Sequence, residues 1–232
     1  MGPPRMPAFR RISRPANFNR IARAYRWLEY LSFGPMLERC RFHRLSQLAT
    51  CRRALVIGDG DGRFLTRLLQ WNPHLEAEAI DASPEMLRLL EQRAAAAGGG
   101  HRLTVHCQDA RVFPPSGRYD LVATHFFLDC LSTEEVAALA ERIRPHLLPG
   151  AMWIVSDFAV PDGAAAVPSR LIVSFLYAAF GVLTGLETRR LPRHKEALQS
   201  AGFALLDRET WLGGLLFSEA WQATDKPREL SQ

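Results

Sequence analysis

The sequence predicts an α/β fold: a doubly wound sheet of seven strands, mostly parallel, with helices on both faces. Three observations predict it. Short apolar runs alternate with amphipathic helical patterns between residues 53 and 156. The first run leads directly into glycines at positions 58, 60 and 62. Two alternating runs at residues 203–224 would then add an antiparallel strand near the C-terminus.

The first half of the sheet is predicted from two strand–helix units. The strands are Arg53–Ile57 and Leu75–Ile80, and the first helix is Phe64–Trp71. The second helix begins at the pair Ser83-Pro84, because serine caps helices well and proline is tolerated at the first helical position. It ends at the glycine triplet 98–100.

Three more parallel strands are predicted in the second half of the repeat: Leu103–Cys107, Tyr119–Thr124 and Met152–Ser156. Between the last two, Ser132 and Glu135 have the spacing of a capping box and predict the start of a helix. Residues 147–150 are predicted to form the turn before the fifth strand.

The C-terminal region is predicted to contain a helix and two strands. The helix is Leu191–Ala201, and the strands are Phe203–Thr210 and Leu215–Thr224, joined by a turn at the two glycines 213 and 214. These two strands would complete the seven-stranded sheet.

The chain is expected to divide into three parts. Residues 1–16, with four prolines and four arginines, are expected to be a disordered basic leader. Residues 17–52 are expected to form an N-terminal helical cap, with one helix from Phe18 and a second from Met36 to Leu48. Residues 53–232 form the core, with an apolar insertion at 161–190 that could wall an acceptor pocket, form a dimer face or pack on the sheet.

Charge is unevenly distributed along the chain. Residues 1–53 contain 12 arginines and two glutamates, whereas the remainder carries 17 basic and 22 acidic side chains. A basic arm of this kind suits contact with nucleic acid or with an anionic membrane surface, or is simply solvated.

Cysteine usage and hydropathy indicate the compartment. The four cysteines show neither a C-x-x-C pair nor the spacing of a zinc site, so we expect free thiols in the cytoplasm and no bound metal. The most apolar stretch, residues 171–186, is too short and too interrupted for a transmembrane segment. We expect a monomer or a homodimer.

The glycine-rich loop is the first functional signal. Gly58, Gly60 and Gly62 follow a buried strand and precede a helix, where a ligand can approach the backbone closely. Their spacing is G-x-G-x-G, and Arg63 stands where the dinucleotide fingerprint G-x-G-x-x-G needs its last glycine.

An acidic residue at the end of the second strand is the second signal. Asp81 comes 19 residues after Gly62, at the carboxyl end of a predicted strand. In doubly wound sheets an acid at this position accepts hydrogen bonds from the ribose hydroxyls of an adenosine-containing ligand. The alternative interpretation is a carboxylate that caps the next helix.

These motifs resemble those of the class I S-adenosylmethionine-dependent methyltransferases, and most closely the small-molecule enzymes of the ubiquinone and menaquinone type. The resemblance covers residues 18–224. It is carried by the glycine loop, Asp81, the pair Asp109-Ala110, the fourth strand from Tyr119 to Val122 and the turn at 147–150. It implies a Rossmann-like fold and S-adenosyl-L-methionine as the cofactor.

The resemblance also implies roles for individual residues. The loop would cradle the methionine end of the cofactor, and Asp109-Ala110 would read the adenine amino group. The residues expected at the cofactor are Tyr25, Gly58, Asp59, Gly60, Gly62, Asp81, Ala82, Met86, Asp109, Ala110 and Thr124. One departure is Val56, where the family commonly has an acid. Asp59 and Asp61 would compensate near the cofactor's ammonium or sulfonium, or are only turn residues.

The predicted reaction is methyl transfer to a hydrophobic small molecule that is quinone-, polyketide- or lipid-like. The acceptor's hydroxyl, amine or ring carbon has to lose a proton. His125 and Asp129 follow the fourth strand and are the candidate catalytic bases. Each has a structural alternative, as a packed histidine and as a surface acid before a helix.

Three alternatives stay open. A nucleic-acid methyltransferase is suggested by the basic N-terminus. However, residues 124–127 read Thr-His-Phe-Phe, where such enzymes typically carry (Asp/Asn)-Pro-Pro-(Tyr/Phe), so nucleic acid is not the expected partner. A catalytically inactive, cofactor-binding interaction subunit is suggested by Val56. A nicotinamide oxidoreductase is disfavoured by Arg63.

Overall fold

A seven-stranded sheet forms the centre of the chain in the computed structural model, which describes residues 35–161 and 191–224 together with 163, 169, 171 and 173. The strands are β1 (Arg53–Ile57), β2 (Glu76–Asp81), β3 (Leu103–Cys107), β4 (Tyr119–His125), β5 (Leu147–Phe158), β6 (Phe203–Trp211) and β7 (Leu216–Ala223). The helices of the described part are α1 (Met36–Phe42), α2 (Arg63–Trp71), α3 (Pro84–Ala96), α4 (Thr133–Ile143) and α5 (His194–Ser200).

The strand order is β3-β2-β1-β4-β5-β7-β6. Neighbouring strands from β3 to β5 are parallel, and β7 is antiparallel to both β5 and β6. This topology confirms the predicted doubly wound sheet with one antiparallel strand near the C-terminus. The order reverses between β1 and β4, and ligands of such sheets bind at the carboxyl ends of the strands beside this switch point.

Two hydrophobic layers cover the two faces of the sheet. In β1, Leu55 and Ile57 face one layer, whereas Ala54 and Val56 face the other. Both sets are at most 1% exposed. This double burial explains why the parallel strands have continuous apolar sequences instead of alternating ones.

The predicted helix caps are confirmed. The Ser83 hydroxyl accepts from the backbone amide of Met86, with Pro84 at the first helical position. Ser132 and Glu135 form a complete capping box in which each side chain accepts from the other residue's amide. These caps fix α3 and α4 next to the strand ends from which they emerge.

Two predicted boundaries were wrong. Residues 147–150 lie inside β5, because Tyr119 pairs with Leu147 and the register then shifts, so that Leu121 pairs with Met152. The predicted turn is therefore an irregularity in the strand, with Gly150 at φ 76°. The helix expected to extend from Met36 to Leu48 ends at Phe42 and is followed by a 3₁₀ turn.

Several expected features lie outside the described residues. They are the leader at 1–16, the first cap helix with Tyr25 and most of the insertion at 161–190. Of that insertion, Val173 is buried and Leu171 is exposed.

Candidate active site

The glycine loop connects β1 to α2 at the switch point, and its three glycines have positive φ values of 68°, 59° and 78°. A Cβ atom at Gly58 would lie 2.2 Å from the Phe127 ring, and one at Gly62 would lie 2.5 Å from Leu90 Cγ. At Gly60 the nearest heavy atom would be Met86 Sδ, at 3.8 Å. Gly58 and Gly62 are thus required by packing, whereas a Cβ at Gly60 would make only ordinary van der Waals contact, and Gly60 is partly exposed, so a ligand can approach the backbone there.

Asp59 and Asp61 both have protein partners. The carboxylate of Asp59 accepts from the amides of Phe64 and Leu65 in the first turn of α2, at 3.4 and 2.9 Å. Burial raises its pKa to about 7, against the lowering effect of Arg41 and of these amides. Asp59 is therefore a helix cap, and this arrangement gives no support to the expectation that it compensates for Val56.

The Asp61 carboxylate is held by two arginines. Its oxygens lie 2.6 Å from the Arg93 guanidinium and 3.2 Å from Arg63 Nε. Arg93 thus holds the loop against α3, whereas Arg63, which distinguishes this loop from the dinucleotide fingerprint, also lies 3.5 Å from Glu38 of α1.

Asp81 lies at the carboxyl end of β2, beside the partly exposed Gly60. Its carboxylate accepts from the backbone amides of Ser83, at 2.8 Å, and of Gly60. Burial raises its pKa to about 6, although both amides lower it. Met86 is buried behind Gly60 and Ala82 is exposed next to Asp81, so these predicted cofactor residues lie together.

Asp109 follows β3 and is held by an arginine that the sequence interpretation did not include. Arg111 donates from its backbone amide and from two guanidinium nitrogens to the Asp109 carboxylate, at 2.7–3.0 Å. Burial favours a higher pKa for Asp109, but the Arg111 bonds outweigh it and the pKa is lowered. Arg111 also donates to Glu135 of the capping box, at 2.9 Å, so it ties the loop after β3 to α4. Ala110 is buried in the core beside this loop.

The two predicted residues at the end of β4 are both fully buried. The Thr124 hydroxyl accepts from Trp153 Nε1 at 3.1 Å, so it faces the core. His125 is 2% exposed, and its ring packs on Phe64 with centroids 4.1 Å apart. Burial and the charge of Arg41 lower its pKa well below 6.5, so the imidazole is neutral. This environment fits the packed-histidine interpretation better than that of a general base.

Asp129 lies in the turn after β4, half-buried, and its backbone amide donates to Asp157 Oδ2 at 3.1 Å. Asp157 ends β5 and is 3% exposed. Burial raises the pKa of Asp129 to about 6, and burial together with the Asp129 charge raises the pKa of Asp157 well above its ordinary value. Burial thus favours the protonated form of both carboxyl groups of this acid pair, and the charge of Asp129 opposes ionisation of Asp157.

The acid pair lies on the same side of the sheet as the glycine loop. Cys130 donates to Asp129 Oδ1 at 3.5 Å, and its pKa is raised by burial and by the charges of Asp129, Asp157 and Asp81. Because one thiol is affected by all three carboxyl groups, the pair and Asp81 belong to one site along the carboxyl ends of β2, β4 and β5.

Aromatic side chains border this site. Phe126, directly after β4, has the left-handed φ value of 55°, and its amide donates to the carbonyl of Ser156 at 2.7 Å. Its ring packs on that of Phe158, with centroids 5.3 Å apart. Both rings are partly exposed. A strained residue directly before a ligand-facing turn is a common feature of functional sites.

Comparisons with known proteins show which domain and which solved structures this fold is similar to. Residues 54–150 match the family described as methyltransferase domain. The fold is that of a methyltransferase domain. A curated relative, release factor glutamine methyltransferase of Cereibacter sphaeroides, is 32% identical over 117 residues, which are 48% of this chain and 41% of the relative.

Solved structures share the methyltransferase fold at lower identity. An O-methyltransferase family 2 protein from Planctomyces limnophilus in complex with apigenin superposes with a TM-score of 0.66, at 18% identity, over 86% of this chain and 61% of that protein. The N-methyltransferase NodS from Bradyrhizobium japonicum, in complex with S-adenosyl-L-homocysteine, has a TM-score of 0.56 at 15% identity, over 82% of this chain and 88% of NodS. This chain thus spans about two fifths of its curated relative and three fifths of the apigenin-bound protein.

Two residues of the candidate site were not predicted from the sequence. Asp157 directly follows the predicted fifth strand and was not singled out, although an acid at the carboxyl end of a parallel strand is the same signal that singled out Asp81. Arg111 lies two residues after Asp109, and its role depends on the distant Glu135.

In the part of the chain that the structure describes, no helix has both the length and the apolar composition to cross a membrane.

Proposed function

We propose that the chain binds S-adenosyl-L-methionine at the glycine loop and transfers its methyl group to a small, largely apolar acceptor. The observation that carries the proposal is the position of Asp81. Its carboxylate accepts from the amide of the partly exposed Gly60, where two hydroxyl groups of a ribose would find a paired acceptor.

The residues around Gly60 fit the cofactor in charge. Gly60 has no side chain to block the approach of a ligand, and Asp81 would hold the ribose. The carboxyl groups of Asp81, Asp129 and Asp157 give the site a negative potential, which favours a cationic sulfonium. When bound, the cofactor supplies a methyl group that is already activated. The protein then has to align the acceptor and remove its proton.

The cap on α2 argues against a nicotinamide dinucleotide. The pyrophosphate of such a ligand is bound by the free amides of a helix N-terminus. Here the Asp59 carboxylate accepts from the amides of Phe64 and Leu65. A diphosphate at this place would lose those donors and meet a carboxyl group instead.

The acceptor is proposed to be a hydrophobic small molecule. The partly exposed rings of Phe126 and Phe158 border the acid pair and offer an apolar surface to it. The apigenin complex of the Planctomyces protein supports an aromatic acceptor of this kind. We also propose that the protein belongs to the ubiquinone- and menaquinone-type subgroup of these enzymes and that it is located in the cytoplasm.

Calorimetric titration with S-adenosyl-L-methionine and S-adenosyl-L-homocysteine tests the proposal. We expect both to bind, and Asp81→Asn to weaken both about 10- to 100-fold, because hydrogen bonds to a charged carboxylate are lost. Glu91→Gln is the matched control, since Glu91 is exposed on α3. Absence of binding at millimolar ligand, or equal binding by Asp81→Asn and wild type, would contradict the proposal.

A nucleic-acid substrate is the rival outcome. Filter binding with RNA distinguishes it, because phosphate contacts weaken steeply with salt. Tight, salt-sensitive binding of RNA together with methylation of that RNA would replace the small-molecule acceptor.

A further inference from the structure

Asp157 is a buried carboxyl group at the carboxyl end of β5, where it accepts from backbone amides and lies next to a second acid. Its Oδ1 accepts from its neighbour's amide, that of Phe158, at 2.8 Å, and its Oδ2 accepts from the amide of Asp129 at 3.1 Å. Burying an ionised carboxyl group costs several kcal/mol unless partners compensate. A buried acid retained beside a second acid therefore calls for an explanation.

The two carboxyl groups are brought together by the backbone. The left-handed residue Phe126 redirects the chain after β4, and its amide is bonded to the carbonyl of Ser156 in β5. The following 3₁₀ turn, Leu128–Cys130, places Asp129 against the end of β5. Pairing of the two strands thus fixes the pairing of the two acids.

The titratable groups around the pair come from three elements. Cys130 belongs to the same turn and donates to Asp129, and Cys40 of α1 is affected by the charge of Asp157. Asp81 at the end of β2 acts on Cys130. Both thiols have raised pKa values, to about 12 for Cys40 and well above 9.0 for Cys130, so both stay neutral at pH 7. Among these neighbours the only change of charge near pH 7 comes from carboxyl groups.

We propose that Asp129 and Asp157 share one proton and act together as the base that deprotonates an acceptor O–H or N–H group during methyl transfer. This inference rests on the proposed function. It assigns the catalytic contact to the half-buried Asp129 and a positioning role to the buried Asp157.

The proton step balances as follows. The O–H or N–H bond of the acceptor breaks, its electron pair stays on the heteroatom that takes the methyl group, and the proton forms an O–H bond with a carboxylate oxygen of the pair. The proton leaves to solvent afterwards. Two neighbouring acids suit this step, because the negative charge of one carboxyl group raises the basicity of the other above that of an isolated aspartate.

The cofactor and its demethylated product provide a test that needs no acceptor. S-adenosyl-L-methionine carries a positive sulfonium, whereas S-adenosyl-L-homocysteine is neutral at sulfur. A cation next to the pair favours its fully ionised form. Binding of the methionine form at pH 7 is therefore expected to release a fraction of a proton that binding of the homocysteine form does not release. Calorimetry in buffers of different ionisation enthalpy measures that difference.

Substitution of either aspartate tests whether the released proton comes from the Asp129–Asp157 pair. Asp157→Asn and Asp129→Asn each remove one acid of the pair, so the carboxyl group that remains holds a proton through its burial alone. We expect either change to reduce the difference between the two ligands while both ligands still bind. Asp120→Asn is the matched control, because Asp120 lies at the opposite end of β4, where it accepts from the amides of Arg52 and Arg53.

The outcomes separate this inference from the cofactor proposal. If neither ligand binds wild type, the proposed function fails. If both bind with equal proton release, or if Asp157→Asn keeps the difference, only the shared proton is disproved. If a variant does not fold, infrared spectroscopy of the wild-type protein provides a second test. At pH 7 the protonated carboxyl band, to which Asp59 also contributes, should shrink when S-adenosyl-L-methionine binds and not when S-adenosyl-L-homocysteine binds. A band that both ligands leave unchanged would equally overturn the inference.

Discussion

The carboxylate of Asp59 accepts from the backbone amide of Leu65 at 2.9 Å, so a residue of the glycine loop caps the helix that follows the loop. This bond ties the loop to the first turn of α2, and the neighbouring Gly60 stays partly exposed. The loop conformation therefore depends on a buried acid whose pKa is about 7 because it is desolvated.

We expect Asp59→Asn to change how stability depends on pH. The folded-state pKa of Asp59 lies above its ordinary value of 3.8, so between about pH 4 and pH 7 the folded protein holds a proton that the unfolded chain has lost. The contribution of Asp59 to the free energy of unfolding therefore falls as pH rises through this range, by a few kcal/mol at most. Urea denaturation of both proteins at several pH values measures the difference.

Glu141→Gln is the control for this experiment, because Glu141 is exposed on α4. Its difference from wild type should stay nearly constant between pH 4 and pH 7. A wild-type stability that rises relative to Asp59→Asn over the same range would contradict the raised pKa.

Gly60→Ala and Gly62→Ala should separate ligand binding from folding. Gly62→Ala places its methyl group against Leu90, including its Cα at 3.0 Å, so we expect a loss of about 2–5 kcal/mol of stability. Gly60→Ala meets no close atom and should cost only about 1–2 kcal/mol through its positive φ. It should nevertheless weaken S-adenosyl-L-methionine binding at least tenfold, because the methyl group fills the ligand's space.

Urea denaturation and calorimetry on both variants give the two readouts. If Gly60→Ala binds the ligand as wild type does, the space beside Gly60 is not the cofactor site.

Much of the fold could be predicted from the sequence because its signals are local. β1 and β3 were predicted to the residue, and the caps at Ser83 and Ser132 were confirmed. A strand–turn–helix sequence encodes these features within a few neighbouring residues. The start of β5 was missed because the bulge opposite Tyr119 depends on pairing between strands, which no local pattern records.

The site was predictable only in part, for the same reason. The positions of Gly60 and Asp81 follow from the strand ends. The distant partners of Asp109 and Asp129 do not. Asp109 is linked through Arg111 to Glu135, which lies 26 positions further along the chain. Asp129 is bonded directly to Asp157, which lies 28 positions further along. The side-chain environment of His125 also depends on α2, whose packing brings Phe64 onto its ring.

Glu135→Ala should destabilise the protein more than Ser132→Ala. Loss of the Ser132 cap is expected to cost about 1 kcal/mol. Glu135 has two functions, because one oxygen accepts from the Ser132 amide at 2.8 Å and the other from Arg111 at 2.9 Å. Its removal should cost about 1–2 kcal/mol more, since Arg111 is largely buried. Urea denaturation measures both, with exposed Ser116→Ala as the control. Equal losses would show that the Arg111 contact adds nothing.

Glu219→Gln should destabilise the protein with the opposite pH dependence to that of Asp59. Glu219 is fully buried in β7, and its carboxylate lies 2.9 Å from His194 Nε2 and 3.1 Å from the Arg208 guanidinium. Burial favours a raised pKa, but His194 and Arg208 outweigh it, so the folded-state pKa lies below its ordinary value of 4.5. Its stabilising contribution is present above that value and is lost as pH falls below it.

We expect Glu219→Gln to cost about 3 kcal/mol at pH 7, because the charges of Arg208 and Lys195 lose their buried partner. The cost should shrink towards pH 3, where the wild-type carboxylate begins to protonate. Glu209→Gln, an exposed change on the neighbouring strand β6, should have little effect at either pH. Urea denaturation at pH 3 and pH 7 measures both variants. A Glu219→Gln cost that grows as pH falls would mean that this carboxyl group is protonated in the folded protein, and that His194 and Arg208 do not hold it ionised.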